Sequence, residues 1–262
     1  MPEITTSYLN QLVDDLLPAM YQAGAVIMDI HKKQISMKLK PDGSPVTEAD
    51  EAAEAILLPA LAKAAPDIMV ISEENAASHD LDVAPLFFLV DPIDGTKEYL
   101  KPDGKGSFTV NIGLIQDGHP VMGLVYAPAF DTLYCGIVGH RAVKIEGDHE
   151  TEIAVRHVPA SGAVAVASAS HRDDATNEWL ATHKIDQTKS IGSSLKFCLV
   201  AEGKADVYPR FGPTMEWDTA AGDGVLRAAG GMVMDQDNAP YGYGKKGYRN
   251  TPFIATGKWS KS

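Results

Sequence analysis

A short apolar segment of this chain leads directly into a turn that carries two carboxylates. Residues 86–90 (Leu-Phe-Phe-Leu-Val) are all apolar, and Asp91 and Asp94 follow them with a proline between. A run this short is unsuited to a core helix and predicts a buried β-strand. Because proline has no N–H for a strand ladder, we expect the strand to stop at Pro92 and turn. Both carboxylates should then lie at the carboxyl end of a strand, where ligand sites of α/β sheets form.

The turn at residues 91–96 (Asp-Pro-Ile-Asp-Gly-Thr) is suited to a divalent metal ion. Two hard oxygen ligands on a rigid turn match Mg²⁺, which prefers carboxylate, carbonyl and water oxygens. An ion bound there would be placed for phosphate chemistry. The alternative is that Asp91 and Asp94 are ordinary turn residues, and this motif alone leaves both explanations open.

Two further acidic positions occur in similar settings. Glu73 and Glu74 follow a short strand predicted at residues 68–71, and Asp218 precedes a helix predicted at about 219–229. Taken alone, Asp218 also fits a plain N-cap residue. If the three acidic sites converge, they would hold two or three Mg²⁺ ions, with phosphate filling the remaining positions.

Two motifs suggest groups that act on water or phosphate. Residues 47–50 (Thr-Glu-Ala-Asp) fit a helix capping box, which favours a structural role for Asp50. Alternatively, Asp50 orients a water or hydroxyl for proton transfer, with the Thr96 hydroxyl as its partner. Lys196 lies in the first turn of a helix predicted at about 194–202, where it opposes the helix dipole unless an anion is near. A solvated lysine is the other explanation, and Arg210 and His171 also fit ordinary surface residues.

Composition and charge exclude several classes of function. The net charge of −12 argues against polymeric nucleic acid as a partner, because proteins that bind nucleic acids usually carry a basic stripe. The chain lacks a long apolar stretch, a signal-peptide pattern, a P-loop, a Gly-x-Ser-x-Gly elbow and zinc-like histidine spacing. Cys135 and Cys198 are expected to be buried, reduced thiols. We therefore expect a cytoplasmic protein, with peripheral attachment at the inner membrane left open.

The order of predicted elements favours a mixed α/β fold. Helices at about 7–30 and 47–64 come first, and β-rich runs from 108 to about 155 predict an antiparallel meander. Helices and strands alternate after residue 158, which argues for a layered architecture. We expect a single domain with lobes of about 1–158 and 159–262.

These motifs together resemble the inositol monophosphatase superfamily of lithium-sensitive, Mg²⁺-dependent phosphatases. The resemblance rests on Glu73-Glu74, on residues 91–96 and on Trp217-Asp218-x-Ala220-x-Gly222, in order along nearly the whole chain. It implies an αβαβα sandwich of the sugar-phosphatase type. Segments 95–99, 193–203 and 208–213 resemble the bacterial 3′(2′),5′-bisphosphate nucleotidase branch, since the inositol branch typically has Thr-Asn in place of Lys97-Glu98.

The resemblance implies a role for each motif residue. The metal ligands that it implies are Glu73, Asp91, Asp94, Asp218 and the backbone carbonyl of Ile93. Asp50 and Thr96 would activate the nucleophilic water, with Glu73 assisting. The implied substrate-binding residues are Gly95, Thr96, Lys97, Ser193, Lys196, Arg210 and Asp218, with His171 as a weaker candidate.

The expected activity is hydrolysis of the 3′-phosphate of adenosine 3′,5′-bisphosphate to AMP and phosphate, supporting sulfur assimilation and nucleotide recycling. One alternative is an inositol or sugar monophosphatase. Lys97, Lys196 and Arg210 argue against it, because a second phosphate needs extra cations. The other is a non-catalytic Mg²⁺- or nucleotide-binding protein, which would not need the Asp50–Thr96 pair. The number of metals, the oligomeric state and activity on the sulfated nucleotide stay open.

Overall fold

The computed structural model describes residues 3–33, 37–39, 45–101, 106–167 and 173–260. The helices within these ranges are α1 (Thr6–His31), α2 (Glu48–Ala64), α3 (Thr96–Tyr99), α4 (Asp174–Thr182), α5 (Leu195–Ala201) and α6 (Ala220–Ala228). The strands are β1 (Met37–Leu39), β2 (Pro45–Thr47), β3 (Met69–Ser72), β4 (Leu86–Asp94), β5 (Thr109–Gln116), β6 (His119–Ala127), β7 (Thr132–Ile137), β8 (Arg141–Glu146), β9 (His149–Glu152), β10 (Val164–Ala167), β11 (Gln187–Ser190), β12 (Val207–Arg210), β13 (Met232–Asp235) and β14 (Phe253–Thr256). No helix in the ranges given is both long and apolar enough to cross a membrane.

The strands of the described residues form two large mixed sheets and a small antiparallel pair of β1 and β2. The first sheet has the order β3-β4-β5-β6-β7-β8-β9, with β3 and β4 parallel and all other neighbours antiparallel. Strands β5 to β9 confirm the predicted meander. The second sheet has the order β11-β10-β12-β14-β13, in which β10 is parallel to β11 and β12 and β14 is antiparallel to both of its neighbours.

Helices α1 and α2 cover one face of the first sheet. Both are amphipathic at the 3.6-residue period, and their apolar side chains, such as Leu16 and Leu57, pack against Phe88 and Ile112 of the sheet. The Thr5 hydroxyl caps α1 by accepting from the N–H of Tyr8 at 3.1 Å. The observed bounds of α1 and α2 agree with the predicted helices.

The opposite face of the first sheet packs on α5 and α6, and these helices pack in turn on the second sheet. One core joins Leu89 of β4, Phe197 of α5, Val225 of α6 and Phe253 of β14. Helix α4 covers the outer face of the second sheet, where Leu180 contacts a smaller cluster with Val207. The order of layers is therefore αβαβα, which confirms the predicted mixed α/β sandwich.

One strand prediction is wrong. Strand β4 does not stop at Pro92 but continues to Asp94. Asp91 pairs with Asn111 and Asp94 pairs with Thr109, so β4 advances three residues where β5 advances two. The extra residue makes a β-bulge, and a bulge tolerates proline because its N–H is not needed by the ladder. Both carboxylates still lie at the carboxyl end of the strand.

Candidate metal and phosphate site

A cleft of about 590 Å³ opens beside the carboxyl end of β4, the start of α5 and the end of β12. It brings together most of the predicted site residues. Those in its lining are Glu73, Asp91, Ile93, Asp94, Gly95, Thr96, Lys97, Ser193, Lys196, Arg210 and Asp218. Asp50 is not in the lining of the cleft as described, and His171 lies outside the described residues.

Three carboxylates converge at the deep end of this cleft. Because β3 and β4 are parallel, their carboxyl ends share one edge of the sheet, and the N–H of Glu73 donates to the carbonyl of Val90 at 3.1 Å. Asp218 reaches the same point from the segment before α6. One carboxylate oxygen each from Glu73, Asp91 and Asp218 lie within 4.8 Å of one another. The convergence that the sequence only permitted is therefore present.

Asp91 is the most buried member of the group. Its Oδ1 accepts from the N–H of Ile93 at 3.0 Å, whereas its buried Oδ2 has no hydrogen-bond partner among the described residues. Burial, followed by the charges of Glu73, Asp94 and Asp218, raises the pKa of Asp91 well above its usual value. A buried acceptor facing two other carboxylates is suited to a hard cation, and the donor set fits Mg²⁺.

The position of Asp218 excludes its interpretation as a plain helix cap. The N-cap of α6 is Thr219, and the Asp218 Oδ2 instead accepts from the N–H of Met215 at 2.8 Å. Burial and the neighbouring carboxylates of Asp94 and Glu73 raise its pKa. The carboxylate is thus held by the preceding turn and is aimed into the cleft.

Lys196 places a buried cation beside these acids. Its side chain is only 6% exposed, so the solvated-lysine interpretation is wrong. The Nζ donates to the carbonyl of Ser193 at 2.6 Å. Burial lowers the pKa of Lys196 to about 8, against the opposing charge of Asp94. Burial also raises the pKa of Asp94 to about 6, although Lys196 and the Ser194 hydroxyl, which lies 3.1 Å from Asp94 Oδ2, act against it.

A short helix, α3, follows the end of β4. Gly95 is the N-cap of α3 with φ of +92°, a left-handed conformation that glycine adopts without strain. The Thr96 hydroxyl lies 3.4 Å from the carbonyl of Ile93. Asp50 accepts from the N–H of Thr47 at 2.8 Å, which confirms the capping box. Burial and then the charge of Asp50 raise the pKa of Tyr99 in α3.

The outer part of the cleft combines Arg210, a predicted site residue, with residues that were given no role from the sequence. The Arg210 guanidinium donates to the carbonyls of Gly212 and Pro213 at 3.2 and 3.0 Å. The pKa of Asp173 is lowered against the effect of burial, first by hydrogen bonds from Thr176 and then by the charge of Arg210. Phe197 and Tyr208 form buried walls. Asp173, Phe197 and Tyr208 were missed although they lie in or beside noted segments, because a local pattern does not show which side chains of a segment face the cleft. Ser194 lay inside a noted motif, but its contact with Asp94 could not be read from that motif.

The fold and the site define a phosphatase of known architecture. The chain belongs to the inositol monophosphatase family, whose family model matches residues 10–260. This is a family of metal-dependent phosphatases, generally with Mg²⁺, and the resemblance inferred from the motifs is confirmed.

Two individual relatives and one solved structure are similar to this chain over most of its length. The chain is 47% identical over 216 residues to the 3′(2′),5′-bisphosphate nucleotidase CysQ of Salmonella typhimurium, covering 81% of this chain and 86% of the relative. It is 43% identical over 235 residues to the enzyme of the same name from Escherichia coli K12, covering 88% and 94%. It also resembles the crystal structure of CysQ from Bacteroides thetaiotaomicron, with a TM-score of 0.79, 36% identity, and coverage of 95% and 97%.

Proposed function

We propose that this chain is a 3′(2′),5′-bisphosphate nucleotidase that removes the 3′-phosphate of adenosine 3′,5′-bisphosphate, with AMP and inorganic phosphate as products. The observation that carries the proposal is one cleft holding both a carboxylate cluster and, beside it, the cations Lys196 and Arg210. A monophosphate needs only the metal end of such a cleft, whereas a second phosphate needs the additional cations. The names of the relatives support the same substrate class.

The deep end of the cleft is proposed to hold two or three Mg²⁺ ions. Their ligands would be Glu73, Asp91, Asp94, Asp218 and the carbonyl of Ile93. When bound, Mg²⁺ supplies Lewis acidity and positive charge for the attack of water on phosphorus. The Asp91 Oδ2, for which the described residues offer no hydrogen-bond donor, supports this assignment, because such a buried oxygen is costly unless a cation faces it.

The protein groups around the ligands are proposed to orient the reactants. Thr96 would hold the attacking water through its hydroxyl, and Asp50, whose charge acts on Tyr99 of α3, would receive the proton, with Glu73 assisting. Gly95 and Lys97 would line the scissile phosphate. On the other side, Ser193, Lys196 and Arg210 would hold the second phosphate of the nucleotide.

The test is phosphate release from two substrates, adenosine 3′,5′-bisphosphate and inositol 1-phosphate, each with Mg²⁺ and with EDTA. We expect a much higher kcat/KM for the nucleotide and loss of activity in EDTA. Faster release from inositol 1-phosphate would instead identify an inositol phosphatase. Absence of release from both substrates in Mg²⁺ would identify a non-catalytic binding protein.

Arg210→Met sharpens the comparison between the two substrates. Removing a cation that contacts only the second phosphate should raise KM for the nucleotide by on the order of tenfold, because a charge-assisted contact is lost. The same variant should leave activity on a monophosphate unchanged. An equal loss on both substrates would contradict the assignment of Arg210 to the second phosphate.

A further inference from the structure

Glu216 is a fully buried carboxylate two residues before Asp218. Its carboxylate oxygens accept hydrogen bonds from a segment outside the cleft. Its Oε2 accepts from the N–H of Gly244 at 2.7 Å, and its Oε1 accepts from the N–H of Lys245 at 2.9 Å. The Lys245 ammonium lies 2.7 Å from the same Oε1. A buried charge is retained only when it is paired and hydrogen-bonded, and Glu216 meets both conditions through a single segment, residues 242–250.

The segment 242–250 is tied to the turn at residues 214–219 along its length. The N–H of Glu216 donates to the carbonyl of Tyr248 at 2.8 Å, and the N–H of Asn250 donates to the carbonyl of Thr214 at 2.9 Å. The Asn250 side-chain amide also donates to the carbonyl of Met215 at 2.6 Å and to the Thr219 hydroxyl at 3.0 Å. The two segments therefore form one hydrogen-bonded unit.

The direction of the Asp218 carboxylate depends on this unit. Its Oδ2 accepts from the N–H of Met215, and the N–H of Asp218 donates back to the carbonyl of Met215 at 3.2 Å. Met215 is itself paired with Arg249 in an isolated β-bridge. A shift of residues 242–250 would therefore move the N–H that aims Asp218.

The ammonium of Lys245 is also fixed in place. It donates to the carbonyl of Gly242 at 2.5 Å and lies 4.7 Å from the ring centre of Tyr241 and 5.2 Å from that of Tyr243. These contacts hold the cation over two aromatic rings. The segment is also held from another side, because the N–H of Tyr243 donates to the carbonyl of Gly118 at 2.9 Å. Glu216 therefore connects the turn at residues 214–219 to a segment with a second attachment.

We propose that Glu216 is a positioning residue for the metal site: by holding residues 242–250 against the turn at 214–219, it fixes the direction of the Asp218 carboxylate and so sets the affinity for Mg²⁺. The inference rests on the proposed function through the assignment of Asp218 as a metal ligand. Groups that orient metal ligands typically change metal affinity by 10- to 100-fold when they are removed.

The test is Glu216→Gln, studied in the full chain. The amide keeps the size of the side chain but turns an NH₂ group towards the N–H of Gly244 or Lys245, so one hydrogen bond becomes a repulsion of donors. We expect the Mg²⁺ concentration for half of the maximal rise in Tm to increase about tenfold. The Mg²⁺ concentration for half-maximal phosphate release should rise in parallel, with KM for the nucleotide at saturating Mg²⁺ unchanged.

Asp206→Asn is the matched control. Asp206 is 1% exposed and accepts from Arg156 at 3.0 and 2.8 Å and from the N–H of Val164 at 2.8 Å. It precedes β12 at the end opposite to Arg210. We expect this variant to have a lower Tm than wild type in the absence of Mg²⁺. The Mg²⁺ concentration for half of the maximal rise in Tm should be the same as in wild type. The same pattern in Glu216→Gln would show a merely structural role and overturn the proposal.

A second variant keeps the test decisive if Glu216→Gln does not fold. Asn250→Ala removes the side-chain N–H donors at the other end of the segment. Like Glu216→Gln, it should increase the Mg²⁺ concentration for half of the maximal rise in Tm. A wild-type Tm that does not respond to Mg²⁺ would also overturn the inference. If Mg²⁺ shifts Tm and Glu216→Gln weakens that shift, but no nucleotide is hydrolysed, the proposed function fails and the inference stands.

Discussion

At the scale of single residues, the site concentrates charge that water would otherwise screen. Burial and mutual repulsion raise the pKa values of Asp91 and Asp218, and burial raises the pKa of Asp94 to about 6. Each of these carboxylates is therefore poorly stabilised as an anion until a cation is present. Lys196 supplies one cation, but its own pKa is lowered by burial.

Asp94→Asn tests the metal assignment. Because the variant removes a proposed ligand and a charge that acts on the transition state, we expect kcat to fall by about 10²- to 10³-fold at saturating Mg²⁺. Phosphate release is the measurement. Asp148→Asn, in the exposed turn between β8 and β9, is the control and should behave as wild type. Near-wild-type turnover of Asp94→Asn would remove Asp94 from the ligand set.

Lys196 predicts a pH dependence of substrate binding. Burial lowers its pKa to about 8, so the side chain is charged below that pH and loses its positive charge as the pH rises through that value. We therefore expect kcat/KM for the nucleotide to fall above a pH of about 8. In Lys196→Gln, kcat/KM should be lower by on the order of tenfold at neutral pH and should lack this fall. The same fall in the variant would mean that another group titrates.

At the scale of elements, three glycines make room for α6 on the first sheet. Gly113, Gly123 and Gly136 are register partners on β5, β6 and β7. A Cβ added at Gly123 would clash with the carbonyl oxygen of Ala221, and one at Gly136 would lie 2.6 Å from the Cα of Val225. The close approach matters for the site because α6 begins directly after Asp218 and Thr219.

Gly123→Ala should therefore destabilise the protein. Overpacking of a filled interface costs about 1–3 kcal/mol, and the displacement of α6 should also reduce Mg²⁺ affinity. The free energy of unfolding, measured with denaturant, reports the first effect. Gly242→Ala is the control, because its added Cβ would meet only the carbonyl oxygen of Gly118 at 3.7 Å. Equal stability of the two variants would contradict this account of the interface.

At the scale of the whole molecule, the two halves of the chain interlock. The first sheet is built from residues before 158 and the second from residues after it, yet α6 of the second half packs on the first sheet. This arrangement supports the single domain expected from the sequence. The proposed metal ligands come from both halves, so the loaded site should couple metal binding to global stability.

Mg²⁺ should raise Tm, and more so at neutral than at acidic pH. The folded-state pKa of Asp94 is raised from 3.8 to about 6, so this group favours the folded state below pH 4 and that contribution is lost as pH rises to about 6. Without metal, in EDTA, the ionised carboxylates therefore contribute less to folding stability at pH 7.5 than at pH 5. A Mg²⁺ concentration 100 times Kd adds about 2.7 kcal/mol. Melting curves at pH 5 and pH 7.5 measure this; an equal Mg²⁺ effect at both would contradict it.

The sequence by itself determined the local features of this protein. Helical and strand periodicity predicted α1, α2 and the meander, because those patterns depend only on neighbouring residues. The motif at residues 91–96 predicted a metal site, which stays a prediction, and together with the other motifs it indicated the family, which is confirmed.

The tertiary structure decided everything that depends on contacts between distant segments. Parallel pairing of β3 with β4 and the packing of α6 bring Glu73 and Asp218 to Asp91, and no local pattern encodes that distance. Pairing with β5 carries β4 past Pro92 through a bulge. The burial of Lys196 and the bonds of Glu216 likewise arise only when the layers close around them. Secondary-structure propensity depends on residues that are close in the chain, whereas the convergence of distant side chains depends on how the whole fold packs.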